Sequence, residues 1–409
     1  MGLIGRNVMI EWIKRMIGRN KTCYQFVYYC FRIYGVLFSI LCILMRVFPI
    51  KNKIVCCNMK GKRYGDNPKY IADEIIRRGL DYEIVWLLNA KEDEEMPAGI
   101  RRASHNPFSM AYELATAKVW IDSNTKQYGT LKRKKQLYIQ TWHGSYGLKK
   151  VCGDIPEKIT SIDFDTMQYN SNITDLMISN SRQTTEIYQR AFWYKGNILE
   201  CGSPRNDIFF VDVGRFREKV QAHFGIEGKK IALYAPTFRK NFATDIFRLD
   251  YRRLQQILQK RYGGEWVILI RLHPNNIADA ETFIKYEKDI INATDYSVMQ
   301  ELLVASDVLI TDYSSCMFDF VTTGKTCFLY ATDVEAYREE RDYYFDLDEL
   351  PFPLAQNNDE LEENILNFNE EKYQNELKLL FEKVGLCESG NASGQVVDYI
   401  ENWLRGNKE

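Results

Sequence analysis

LYIQTWHGSYGLKK, residues 137–150, joins two kinds of sequence at one point. LYIQT is apolar and suits extended backbone; a histidine between tryptophan and glycine follows, then a second glycine and two lysines. An apolar run that stops on polar, turn-forming residues reads as a buried strand whose carboxyl end opens toward a ligand. The same form recurs along the chain. KIVCCN (53–58), YEIVWLLN (82–89), KVWIDSN (118–124), TDLMISNS (174–181) and NILECGSP (197–204) read as strands, with KYIADEIIRRG and FSMAYELATA as helices between them. A second series starts at KKIALYAPTFR (229–239). It continues through the helix DYRRLQQILQKRY, the strand WVILIRLHP (266–274), VLITDYSS (308–315) with a helix behind it, and TCFLYA (326–331). Such alternation predicts parallel, doubly wound sheets covered on both faces. Two series separated by a helical stretch near 205–225 predict an α/β chain of two Rossmann-like halves with a cleft between them. The acidic segment 359–384 reads as solvated helices.

A chain of 409 residues, 45% hydrophobic and 27% charged, is too long for one core, since cores seldom grow past roughly 250 residues. A formal net charge of −1 supplies no overall field that would draw nucleic acid. The ten cysteines form no CxxC pair, and no histidine stands at zinc-finger spacing from any of them. They read as small buried hydrophobes of a reducing compartment, without a structural metal site.

The first fifty residues differ from the rest. GRNVMIEWIKRMIGRNK places Val8, Ile10, Trp12, Ile13, Met16 and Ile17 at helical spacing, with Arg6, Lys14, Arg15, Arg19 and Lys21 between them. The apolar run that follows Arg32 is thirteen residues long (IYGVLFSILCILM), short of the roughly 20 that a span needs. Three readings fit: an amphipathic anchor lying in an anionic lipid surface, a true span that carries Arg32 into lipid, and a helix capping the first half. The in-plane anchor is preferred, because the lysines and arginines then face lipid headgroups.

Polar residues that end strands are the candidates for chemistry. They are His143, Arg205, Thr237 with Arg239, Arg271 with His273, and Asp312 with Ser314 and Ser315. Gly144 and Lys149 join His143. Ser314 or Ser315 opens a helix, where free amide donors make either a phosphate seat or a plain cap. His273 either serves the cleft or bonds a loop carbonyl. The two strand-end histidines, one per half, together with three arginines and a Ser-Ser helix start on one edge, favour a ligand site over unrelated loops.

WHGSYGLKK, SPRND, YAPTFR, RLHP and TDYSSCMFDF, in this order and spacing, resemble the CDP-glycerol glycerophosphotransferases of teichoic-acid and capsule synthesis, from about residue 52 to about 400. GKRYGDNPKYI resembles that family's first strand-to-helix loop. The resemblance implies a GT-B-type fold with three parts: a membrane-associating segment (1–50), an acceptor domain (51–212) and a CDP-alcohol domain (213–409). It implies attachment to the cytoplasmic membrane face and transfer of an alditol phosphate, with release of CMP. The donor would be CDP-glycerol or CDP-ribitol, and the acceptor a lipid-linked saccharide or poly(alditol phosphate). His143 and His273 fall on the catalytic histidines. Arg271, Asp312, Ser314 and Ser315, with Arg205, Thr237 and Arg239, fall on donor contacts. No metal is expected as obligatory, although Asp312 and Asp319 leave an opening for Mg²⁺. One departure is SYG (145–147) where members read TP, which bears on the acceptor. Rival readings are a GT-B glycosyltransferase using a nucleotide sugar and an inactive membrane scaffold.

Overall fold

The computed structural model describes residues 21–90, 95–144, 147–237, 249–272, 284, 286–335 and 342–406. Arg239 and His273 therefore lie outside the described residues. The first sheet has seven parallel strands in the order β3-β2-β1-β4-β5-β6-β7. These are β1 (Lys53–Cys57), β2 (Glu83–Leu88), β3 (Ile100–Ser104), β4 (Val119–Asp122), β5 (Leu137–Gln140), β6 (Leu176–Ser179) and β7 (Asn197–Glu200). The second has six in the order β10-β9-β8-β11-β12-β13: β8 (Lys230–Ala235), β9 (Trp266–Ile270), β10 (Ile290–Asn292), β11 (Val308–Thr311), β12 (Thr326–Tyr330) and β13 (Leu354–Ala355). All its pairings are parallel as well. Each sheet reverses direction of winding once, between β1 and β4 and between β8 and β11. At such a switch point the flanking loops part and leave a crevice.

Every predicted strand is present. Those missed are edge strands: β3, whose IRRAS carries two exposed arginines, and the very short β10 and β13. Edge strands carry charge or stay short to avoid pairing with other chains, and this weakens their apolar signature. Central strands are buried on both faces. In β1 the alternation is direct: Ile54 and Cys56 enter one core with Trp86 and Ile121, and Val55 and Cys57 enter the other with Trp120 and Tyr138.

Three helices depart from the sequence reading. The segment 359–384 forms helices Asn358–Leu366 and Glu370–Val384, which are amphipathic rather than solvated: Leu361, Ile365, Tyr373, Leu377 and Leu380 pack into the second half's core. The last helix, Ala392–Gly406, does not stay with the second sheet. Ala392, Val396, Val397 and Ile400 join the first sheet's core beside Ile54 and Ile71. The boundary drawn at 213–409 thus ends before this helix, whose apolar stripe is needed to cover the first sheet.

Helix Lys21–Leu44 is long and apolar enough to cross a membrane by length and composition. It lies along the first half. Phe38 and Cys42 are buried in that core, and Ser39 Oγ donates to Gly129 O (2.8 Å). Arg32 Nη1 reaches Asp165 (2.8 Å), so its charge is met by protein rather than lipid. The outer side leaves Phe26, Ile33, Val36, Leu37, Ile40, Ile43 and Val47 exposed. Capping and surface-anchor readings are therefore compatible on opposite faces of one helix.

The close approach depends on two glycines. Gly129 has φ +90°, and a Cβ on it would run into the Gly35 carbonyl. Gly129→Ala should lower stability by about 1–3 kcal/mol through overpacking and strain and should speed protease cutting between residues 21 and 48. An unchanged melting midpoint with unchanged cutting would mean that the helix is not seated there.

Candidate active site

The turn after β5 is built by backbone hydrogen bonds that then run out. Thr141 N donates to Asp122 O (2.8 Å) and Trp142 N to Gln140 Oε1 (2.9 Å). Trp142 takes φ +52°, a left-handed state that costs a non-glycine residue about 1–2 kcal/mol. Three contacts hold it there. Asn67 Nδ2 donates to Trp142 O (3.2 Å), Thr141 Oγ1 donates to the same oxygen (3.0 Å), and the indole packs on Phe192 with ring centroids 4.6 Å apart.

The turn lays the His143 ring against the Trp142 indole, centroids 4.4 Å apart, with Nδ1 2.7 Å from Ser123 O. A carbonyl oxygen only accepts, so Nδ1 carries the hydrogen and Nε2 keeps a lone pair. Ser123 follows β4, and its hydroxyl donates to Asn58 Oδ1 (2.8 Å) beyond β1. His143 thus stands over the switch point of the first sheet.

The second switch point has an equivalent device. Thr237, beyond β8, donates from N (2.8 Å) and Oγ1 (3.0 Å) to the Asp312 carboxylate beyond β11, and Tyr313 N adds a third bond (2.6 Å). Asp312 is 1% exposed. A buried carboxylate that only accepts cannot greet a phosphate, so its role as a direct donor contact gives way to one of pinning Thr237 and the following turn. Ser315 adopts helical backbone and makes no side-chain cap to the short helix Cys316–Phe320; Cys316 N instead approaches Ser314 Oγ at 3.4 Å.

Across from each other, the two switch points share a cavity of about 310 Å³. His143, Gly144 and Lys149 line one wall, and Thr237, Tyr313, Ser314 and Ser315 the other. A second cavity of about 490 Å³ lies within the first half, with Phe31 of the N-terminal helix and Lys60, His105, Lys126 and Lys158 in its walls. His143 and Trp142 border both. Burial, with Lys126 nearby, pushes His105 below its ordinary value. Among the described residues no three His, Cys, Asp or Glu side chains group to hold a metal ion.

Arg271 and Arg205 fare differently. Arg271 Nη1 donates to Tyr296 O (2.6 Å), and burial together with the like charge of Arg63 pushes its guanidinium down to about 10. Arg63, in the loop after β1, was not singled out from the sequence. Arg205 is 3% exposed and turned away from the cavity. Its Nη1 meets Asp66 Oδ1 (2.9 Å) in the first half, and Nε and Nη2 meet Asp319 (3.1 and 3.2 Å) in the second. Arg205, expected as a donor contact, stands here in an ion-paired tie between the halves, and Asp319 is engaged by Arg205 and Asn206. Further ties run from Lys150 N to Asp342 O and from Tyr344 N to Leu148 O (both 2.8 Å).

Two parallel, doubly wound sheets with a histidine facing a serine pair across one cavity form an α/β scaffold of the kind that binds ligands at its switch points. The model of the CDP-Glycerol:Poly(glycerophosphate) glycerophosphotransferase family matches residues 40–402, and the chain belongs to that family. It is 29% identical over 388 residues to a teichoic acid poly(glycerol phosphate) polymerase of Bacillus spizizenii, covering 90% of this chain and 96% of that one. It is 28% identical to the Staphylococcus epidermidis polymerase of the same description, covering 86% of this chain and about half (51%) of that relative. The structure of the wall teichoic acid polymerase TagF soaked with CDPG superposes with a TM-score of 0.79 at 25% identity, covering 93% of this chain and 98% of that one.

Glu388 closes the interface from below. Its carboxylate accepts from Asn206 Nδ2 (2.9 Å), Asn180 Nδ2 (3.3 Å) and Ser203 N (3.0 Å), yet burial, helped by the Asp319 charge, raises it from 4.5 to about 7. Between those values the folded protein holds a proton that the unfolded chain has released. This group's stabilisation is therefore complete below the lower value and is lost as pH rises through the upper one. The melting midpoint of Glu388→Gln relative to the parent should rise between about pH 5 and 7.5. Parallel midpoint curves would contradict this.

Proposed function

We propose that the chain transfers an alditol phosphate, glycerol phosphate foremost, from a CDP-alcohol to a hydroxyl of a membrane-linked acceptor in teichoic-acid-type polymer synthesis, releasing CMP. The observation that carries this reading is the shared cavity, in which His143 faces Ser314 and Ser315 in a chain of this family. The proposal includes a two-domain GT-B arrangement, with the donor on the second half and the acceptor on the first, and the cavity shared by both halves supports it. Arg271, whose guanidinium is pushed down to about 10 by burial and by the like charge of Arg63, gains from a nearby anion, which suits a diphosphate.

The acceptor hydroxyl approaches through the first-half cavity, whose lysines suit a phosphate-bearing chain. Nε2 of His143 takes the hydroxyl proton as the oxygen attacks the β-phosphorus. The new P–O bond forms while the bond from that phosphorus to the CMP oxygen breaks. CMP departs without needing a proton, because the second pKa of a phosphate monoester is about 6. Ser314 and Ser315 hydroxyls hold the donor phosphates, and no metal step is included. Arg239 and His273 belong to the proposal as donor-side groups that the resemblance implies.

Incubation with CDP-glycerol, CDP-ribitol and nucleotide sugars should give CMP from a CDP-alcohol and no nucleoside diphosphate from a sugar donor. The opposite pattern would establish the glycosyltransferase alternative, and no turnover with any donor and acceptor would favour the scaffold. His143→Ala should lower kcat by about 10²–10⁴ with the CDP-alcohol Kd unchanged. Parent-like turnover would remove His143 as the base.

Peripheral attachment to the cytoplasmic membrane face is proposed through the exposed side of helix Lys21–Leu44. The double substitution Leu37→Glu, Ile40→Glu should release the chain from vesicles of phosphatidylglycerol in a flotation assay. Unchanged flotation would place the lipid contact elsewhere.

A further inference from the structure

The ties described above form one continuous path. Asp319 lies in the short helix that Ser314 and Ser315 open, on the donor side. Its carboxylate holds the Arg205 guanidinium (3.1 and 3.2 Å). The Arg205 backbone N donates to Asn67 Oδ1 (3.1 Å), and its Nη1 holds Asp66, which also accepts from Asn67 N (2.8 Å). Asn67 Nδ2 then donates to Trp142 O (3.2 Å), with Thr141 O at 3.4 Å. Trp142 is the residue next to His143. Two residues on this path are conformationally unusual: Asp66 has φ +58° and Trp142 φ +52°. Asn67, 2% exposed, touches both strained residues: its backbone N donates to the Asp66 carboxylate and its side-chain amide donates to Trp142 O.

We infer that Asn67 is a positioning residue for His143, and that Arg205 and Asp319 couple it to the donor-side serine turn. Its amide is suited to this. The oxygen accepts from Arg205 while the nitrogen donates to backbone carbonyls, and neither a carboxylate nor an alkyl group does both. Without the amide, Trp142 O loses one of its two donors and the left-handed turn loses its link to the other half. The His143 ring is then less firmly held in its place beside the shared cavity. The histidine itself, the serine turn and the cavity walls stay in place.

This inference rests on the reading of His143 as the base, and a double-substitution cycle separates the two. Turnover of CDP-glycerol by the full chain is followed by CMP release for the parent, Asn67→Ala, His143→Ala and the double variant, with donor Kd measured in parallel. The expected result for Asn67→Ala is a kcat lower by about 10- to 100-fold with donor Kd within about twofold. In the His143→Ala background the same substitution should have no further effect, because a residue that acts only through an imidazole loses nothing once the imidazole is gone. Asn67→Asp should behave like Asn67→Ala, since it keeps the size but not the donor. If Asn67→Ala lowers kcat by the same factor in both backgrounds, the positioning role is wrong and the base assignment stands. If His143→Ala turns over like the parent, the base assignment itself fails and the positioning role fails with it.

Discussion

A guanidinium removed from water is tolerated only where carboxylates meet it, and Arg205 meets two that come from different halves of the molecule. Burial alone would lower its pKa, yet Asp319 and Asp66 more than reverse that effect. Removing either partner would leave an uncompensated charge in a dry interface, so the halves cannot drift apart at this point without large cost. One cation facing two carboxylates still leaves an excess negative charge. Asn206 answers part of it by donating to both Asp319 and Glu388. The elevated Glu388 value answers the rest, since a proton there removes a third negative charge from the cluster. On the path inferred through Asn67, the position of His143 opposite the serine turn rests on this tie.

Much of the architecture was legible because central parallel strands are buried on both faces and must be apolar. KIVCC, VWID, LYIQ and VLIT each read as a strand, and the residues that reach the switch points follow one to four positions beyond their ends. That rule alone singles out His143, Thr237, Ser314 and Ser315, which the structure brings to one cavity, and it also gives the doubling of the sheet. The reassignments of Asp312 and Arg205 have a common cause. A strand-end position says that a side chain is near a crevice, but not whether a neighbour already holds it. Asp319 lies 114 residues from Arg205 and Asp66 lies 139 residues from it, separations at which no local pattern carries information.

Asn67 and Glu388 were missed for related reasons. GDNP looked like a turn ahead of a helix, which it is, and the amide's second task toward Trp142 depends on a strand that follows 70 residues later. The last helix was misplaced because its apolar stripe suits either sheet; only three-dimensional return of the chain shows that the first sheet needs it. The N-terminal helix, by contrast, had two apolar faces from the outset. One now covers the core with Phe38 and Cys42, and the other faces outward from the same half that holds the lysine-bordered cavity. Under the proposed function, a membrane-borne acceptor and a nucleotide donor reach one imidazole from the two cavities that His143 borders.

The most direct test of that division is a crystal structure of the chain with CDP-glycerol bound. The diphosphate should lie in the cavity between His143 and the Ser314–Ser315 turn, with the β-phosphorus facing His143 Nε2 and the first-half cavity left open. A diphosphate seated instead among Lys60, Lys126 and Lys158, away from the serine turn, would contradict the account.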